Sequence, residues 1–163
     1  MTLLEPLPNR VARAAASAAS RFHRLVLLVG PPNSGKTPAL RTLGGRPGFR
    51  YVNVGVELGR LLLDLSERQR PLQVATLLAT LATPTASNDV VLLDNLEILF
   101  ARPLSQQPLR LLERVSRSST LVAAWRGTIT DGALCYASPD HPEHRREPLR
   151  DHMVVLAGEA TTA

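Results

Sequence analysis

Residues 25–40 read LVLLVGPPNSGKTPAL. An uninterrupted apolar run, 25–29, ends at Gly30, and a glycine-bounded segment ends at Lys36 and Thr37 before a helical pattern resumes. The spacing is G-x-x-x-x-G-K-T, and its context is strand, loop, helix, the setting in which this spacing makes an anion cradle. Each residue type has a task there. Gly30 and Gly35 permit backbone approaches that a Cβ hinders. Consecutive main-chain N–H groups, followed by the positive end of a helix, attract phosphate oxygens. Lys36 is the only lysine of a chain with 19 lysines and arginines. A compact, flexible ammonium reaches outer phosphates where a planar guanidinium fork fits poorly. Thr37 offers a hard oxygen to Mg²⁺. Pro38 falls in the first turn, where a missing N–H is tolerated. The binding candidates are therefore Gly30, Pro31, Pro32, Asn33, Ser34, Gly35, Lys36, Thr37 and Pro38.

Four more apolar runs, 51–54, 90–93, 120–124 and 153–156, are short, rich in Val and Leu, and do not alternate. Parallel strands covered on both faces read this way. Helical patterns separate them at 37–43, 57–68, 71–81 and 107–117. In 71–81 and just beyond, Leu72, Ala75, Leu78 and Ala82 form an apolar stripe. An alanine-rich segment near the N-terminus reads as a helix within 1–22 that Asn9 caps, not as a cleaved leader. Residues 128–150, rich in Gly, Pro, Asp and His, read mostly as irregular loop. The expected fold is one α/β domain over 1–163, with a mainly parallel five-stranded sheet in the order 5-1-4-3-2, helices on both sides and no C-terminal lid.

In such sheets ligands sit at the carboxyl ends of strands. The run VVLLDN, 90–95, ends in Asp94, which is placed to hold Mg²⁺ together with Thr37 if its strand lies near the loop. Many P-loop ATPases of the additional-strand class carry Glu next, to polarise the attacking water. Asn95 stands there instead, and an amide orients water but takes no proton at neutral pH. Glu97 is the nearest carboxylate that can substitute, or else a solvated helix residue. The run 120–124 ends at WRGT, which makes Arg126 and Thr128 candidates for sensing the outer phosphate.

Composition bounds the rest. The chain is 44% apolar and 20% charged, which suits a globular domain and excludes a disordered one. Its apolar runs fall short of the ~20 residues that a bilayer span needs. One cysteine, Cys135, allows no internal disulfide and points to the reducing cytosol. The charge of +5 leaves a nucleic-acid partner open, although the arginines are scattered rather than clustered. Arg145 and Arg146 read as solvated, with reach to a phosphate of this site or a neighbour's as the alternative, and Cys135, His141 and His144 match no standard zinc spacing. The N-K-x-D guanine motif is excluded because the sole lysine is already used, so ATP is the expected nucleotide.

The segments GPPNSGKT, VVLLDNLEILF, TLVAAWRG and CYASPDHPEHRR together resemble the BrxF family, small P-loop proteins of type 3 bacteriophage-exclusion (BREX) systems. The resemblance spans about residues 20–157. It implies a cytoplasmic phage-defence component that works beside other proteins of the same locus, and a nucleotide pattern on Gly30, Gly35, Lys36, Thr37 and Asp94. Asn33 departs from it, standing where glycine is more usual. The resemblance supplies no biochemical activity. A weak or partner-activated ATPase is the leading reading. A non-catalytic nucleotide switch or scaffold, and a small-molecule kinase, are the alternatives.

Overall fold

A computed structural model describes residues 5–86 and 88–158. Five parallel strands form its centre: β1 (Leu25–Gly30), β2 (Phe49–Asn53), β3 (Val90–Asp94), β4 (Thr120–Thr130) and, last in the chain, β7 (Met153–Leu156). Their order across the sheet is β2-β3-β4-β1-β7. Every residue of β1 is buried, and the reason is that helices cover both of its faces. Leu25, Leu27 and Val29 pack into one core with α3 (Val54–Leu63), α4 (Arg70–Leu81) and α5 (Pro108–Val115). Val26 and Leu28 point the other way, into a second core with α1 (Leu7–Ala18) and α2 (Lys36–Gly44). Burying both alternating sets removes the polar–apolar alternation that a one-sided sheet needs.

Several local expectations change. Asn9 is not a cap: α1 starts after Pro6 without a side-chain cap, and the Asn9 Oδ1 accepts from Arg46 Nη1 at 3.1 Å. The helix expected over 57–68 is α3, which begins and ends earlier, at Val54–Leu63; Asn53 caps it by accepting from the Val56 N–H. In α4 the buried stripe runs through Val74, Leu78 and Ala82, while Leu72 is 76% exposed. Leu72 lies two residues from Val74, on the wrong side of a 3.6-residue turn.

The larger correction concerns 128–150, and it makes the sheet seven-stranded rather than five-stranded. The fourth strand does not stop at residue 124. It continues to Thr130, turns through Asp131 and Gly132, and returns as β5 (Ala133–Tyr136), which pairs antiparallel with it. A third strand, β6 (Arg145–Pro148), pairs with β5. Asp131 and Gly132 have φ of 51° and 73°, the two positive values that a tight two-residue hairpin turn demands. Only 137–144 between these strands is irregular.

Phe100, Trp125 and Tyr136 anchor this antiparallel extension. Phe100 stacks on Tyr136 with ring centroids 3.5 Å apart and meets Trp125 edge-on at 5.0 Å. Trp125 Nε1 donates to the Cys135 carbonyl at 3.1 Å. Among the described residues no helix is long and apolar enough to cross a membrane.

Candidate functional site

The parallel register brings the carboxyl ends of β1, β3 and β4 together. Gly30 is paired with Arg126, and Asp94 lies across from Asn53 at the end of β2. The glycine loop leaves β1 here and enters α2 at Lys36. Two of its residues take left-handed backbone, Asn33 with φ 62° and Gly35 with φ 94°. Asparagine is among the few side chains that tolerate this region, so Asn33 adopts it without needing to be glycine. Gly30 is required by space: a Cβ there would come within 2.5 Å of Ser34 Oγ and 3.0 Å of the Ala157 carbonyl. The segment after β7 thus braces the loop from behind, fixed by the Ala157 N–H bonding to the Val29 carbonyl at 2.8 Å.

Lys36 folds back over the loop. Its Nζ donates to the carbonyls of Gly30 and Pro31, each at 2.7 Å, and to Ser34 Oγ at 3.3 Å. Burial lowers its pKa below the ordinary lysine value; the charges of Glu97 and Asp94 oppose that shift, and Arg126 adds to it. Asp94, Glu97 and Arg126, three more of the candidate catalytic residues, are therefore near enough to act on the Lys36 ammonium.

Asp94 is the most buried acidic group of the site, with 3% of its surface exposed. Its Oδ2 accepts from Thr37 Oγ1 at 2.8 Å and from the Tyr51 hydroxyl at 2.7 Å. Its Oδ1 accepts from the Asn95 N–H at 3.0 Å. Two hard oxygens, on Thr37 and Asp94, thus converge beside the sole lysine, a donor set that fits a hydrated Mg²⁺.

Asn95 has φ 57° and ψ 56°. The backbone at this position favours asparagine independently of chemistry. Glu97 is half-buried in a 3₁₀ turn, Leu96–Phe100, where a helix was one expectation. Arg126 and Thr128 are exposed on β4, Arg126 level with the last residue of β1 and Thr128 beyond it. Arg145 is half-buried rather than solvated: it donates to the Gln106 carbonyl at 2.7 Å and lies 3.8 Å from Glu147. Arg146 is exposed. Cys135, His141 and His144 do not converge, and among the described residues no three His, Cys, Asp or Glu side chains do.

No family model matches the chain, and no curated protein matches it. Among solved structures, that of C. elegans PCH-2 is similar at 19% identity and a TM-score of 0.43, over 77% of this chain and 38% of that one. The chain spans 38% of the length of that structure.

Two parts of the site lie outside the sequence reading. Tyr51 is the first. It sits in β2, two residues before Asn53, and its hydroxyl reaches Asp94 across the sheet. Burial, then the bond to Asp94, raises its pKa to about 12, so it remains a hydrogen-bond donor near neutrality. A Tyr in a strand carries no signal of its own; only the register reveals its partner. The second is the start of α1. Leu7 and Pro8, with Ser34, Gly35 and Pro38, line a shallow hollow of about 370 Å³ on the loop. Arg10 of α1 holds this arrangement by donating to the Leu156 carbonyl at 3.1 Å.

Proposed function

We propose that the protein is a P-loop nucleotide-binding domain that takes ATP with Mg²⁺ at residues 30–38, hydrolyses it slowly or only with a partner, and serves a type 3 bacteriophage-exclusion system. One observation carries the nucleotide part: Thr37 and Asp94 oxygens meet at 2.8 Å beside Lys36. The loop N–H groups and the Lys36 ammonium would grip the phosphates, and Leu7, Pro8 and Pro38 would flank the base. Thr37 and Asp94 would hold Mg²⁺, which supplies neutralisation of phosphate charge. The phage-defence part rests on the BrxF resemblance, and ATP over GTP on the missing guanine motif.

Titration of Mg-ATP against the protein, then hydrolysis measured alone and with the other proteins of the locus, tests this reading. Absence of nucleotide binding ends it. Hydrolysis unchanged by every neighbour ends the partner-activated form.

The neutral Asn95 supports slow turnover, because no carboxylate follows Asp94 directly. Asn95→Glu is expected to raise kcat at least about tenfold, since a placed general base contributes ~10²–10⁴-fold and left-handed strain of about 1 kcal/mol offsets part of the gain. Steady-state phosphate release reads it. An unchanged kcat favours the alternative, a switch that binds nucleotide without turning it over.

Tyr51 is expected to matter through Asp94. Tyr51→Phe leaves Asp94 with two donors, costs about 1 kcal/mol of stability, and raises the Mg²⁺ concentration for half-maximal ATP binding about threefold. Binding of ATP without metal stays as in the parent. A loss that is equal with and without Mg²⁺ assigns Tyr51 to the fold alone.

A further inference from the structure

The outer face of the antiparallel extension runs on from Arg126, at the edge of the glycine loop, and is built as a cationic cleft. Strand alternation sets Arg126, Thr128 and Thr130 on one side of β4, all exposed, while Gly127 and Ile129 turn inward. Thr128 pairs across to Cys135, and Cys135 pairs to Arg146. Side chains directly opposite one another share a face, so Arg146 joins the same side as Arg126. This face, Pro31 and Pro32 of the glycine loop, Pro139 and His144 line an open cleft of about 590 Å³. Its lining contains no Asp or Glu. The hollow at Leu7 and Pro8 has no residue in common with it.

The two guanidiniums are the informative feature. Among the described residues neither Arg126 nor Arg146 has an acidic partner within ion-pair distance, whereas Arg145, on the opposite face of the same strand, has Glu147. The Arg146 guanidinium meets only Cys135 Sγ, at 3.8 Å. Two like charges on a cleft whose lining holds no Asp or Glu are matched by an anion, and the planar fork suits phosphate oxygens. The hydroxyls of Thr128 and Thr130 add neutral donors, whereas that of Ser138 already donates to Asp140 Oδ1 at 2.7 Å. The cleft volume is of small-molecule size, within ~300–1,000 Å³, and its prolines are apolar.

We infer that this cleft binds a second, phosphorylated small molecule, its phosphate on Arg126 and Arg146 and its body against Pro31, Pro32 and Pro139. The site borders the glycine loop, because Arg126 is the register partner of Gly30 and Pro31 and Pro32 line it, while Lys36 and Thr37 are not among its lining residues.

Adenosine 5′-monophosphate and inorganic phosphate are the probes, titrated calorimetrically into the full chain already saturated with Mg²⁺ and a non-hydrolysable ATP analogue. One equivalent of the monophosphate is expected to bind, adenosine is not, and inorganic phosphate competes. Arg146→Ala should weaken the monophosphate about tenfold, the loss of one charge-assisted bond, and leave the ATP analogue unaffected. Thr130→Val should weaken it less. The same titration in Lys36→Ala, with the analogue omitted, reads this site even if the glycine loop binds no triphosphate, so the two assignments fail separately. The inference is overturned if neither probe binds, if Arg146→Ala binds the monophosphate as the parent does, or if a single-stranded oligonucleotide lacking terminal phosphates displaces it, which would make the face a polymer-backbone track.

Discussion

Lys36→Ala is expected to weaken Mg-ATP binding at least about 100-fold. The ammonium already donates two bonds of 2.7 Å within the loop, so it is positioned before any ligand arrives, and phosphate oxygens would replace those carbonyls. Charge-assisted hydrogen bonds contribute about 1.5–3 kcal/mol each, and losing two removes at least ~3 kcal/mol, two orders of magnitude in affinity. Arginine at this position should not restore it, because the 18 other cationic side chains show that arginine is this chain's default charge and only here is it not used. The fold itself should lose about 1 kcal/mol or less, since the loop is half-exposed and water can take the freed carbonyls. Thermal melting separates the two effects. A pH dependence follows from the lowered Lys36 pKa. Binding needs the ammonium, so affinity should decline on the alkaline side at a lower pH than an ordinary lysine would impose. Calorimetry across pH 7–10 measures it, and equal ATP affinity in Lys36→Ala and parent removes the nucleotide assignment.

What the sequence reveals and conceals follows from the range of the interactions involved. The glycine loop is legible because its function is local: one strand, eight residues and a helix start, all contiguous. The five parallel strands are legible because burial on two faces leaves long apolar runs, as in β1. Arg126 and Thr128 are readable as strand-end residues, although the strand does not end there. The missed hairpin had a local signal, the dipeptide Asp131-Gly132 between the alternating TIT and ALCY segments, and the weight of Pro and His in 138–144 obscured it. Tyr51 had none. Its meaning lies in β2 pairing with β3, a relation between residues 43 positions apart. The Leu7 and Pro8 hollow is likewise a tertiary product, made where α1 crosses the loop. Leu72 was misread for a different reason: three- and four-residue spacing admits more than one stripe on α4, and only packing against α3 chooses Val74 over it.

Gly127→Ala should be the most damaging single methyl group in the molecule. A Cβ at Gly127 would land on the Cys135 carbonyl oxygen and within 3.2 Å of Trp125 Cδ1. Neither can give way cheaply. That carbonyl accepts from Trp125 Nε1, and Cys135 is held between Thr128 on β4 and Arg146 on β6. Trp125 is 1% exposed and packed edge-on against Phe100. Overpacking a fixed backbone contact costs about 1–3 kcal/mol, and losing the indole bond adds about 1 kcal/mol. A drop in Tm of roughly 6–12 °C follows for a chain of this size. The sign is diagnostic, because Gly127 does not occupy the left-handed region. Outside that region the loss of unfolded-chain entropy alone would make alanine stabilising by about 0.4–1 kcal/mol. Gly59 provides that comparison. It lies inside α3, and a Cβ there meets only Ile98 Cδ1, at an ordinary 3.7 Å, so Gly59→Ala should raise stability by up to about 1 kcal/mol. The sole tryptophan reports where the damage falls: emission from Trp125 should shift to the red in Gly127→Ala, as the stack with Phe100 and Tyr136 opens, and stay unchanged in Gly59→Ala. If Gly127→Ala melts at or above the parent temperature, β4 and β5 do not pair as described, and the cationic face built on that pairing goes with them.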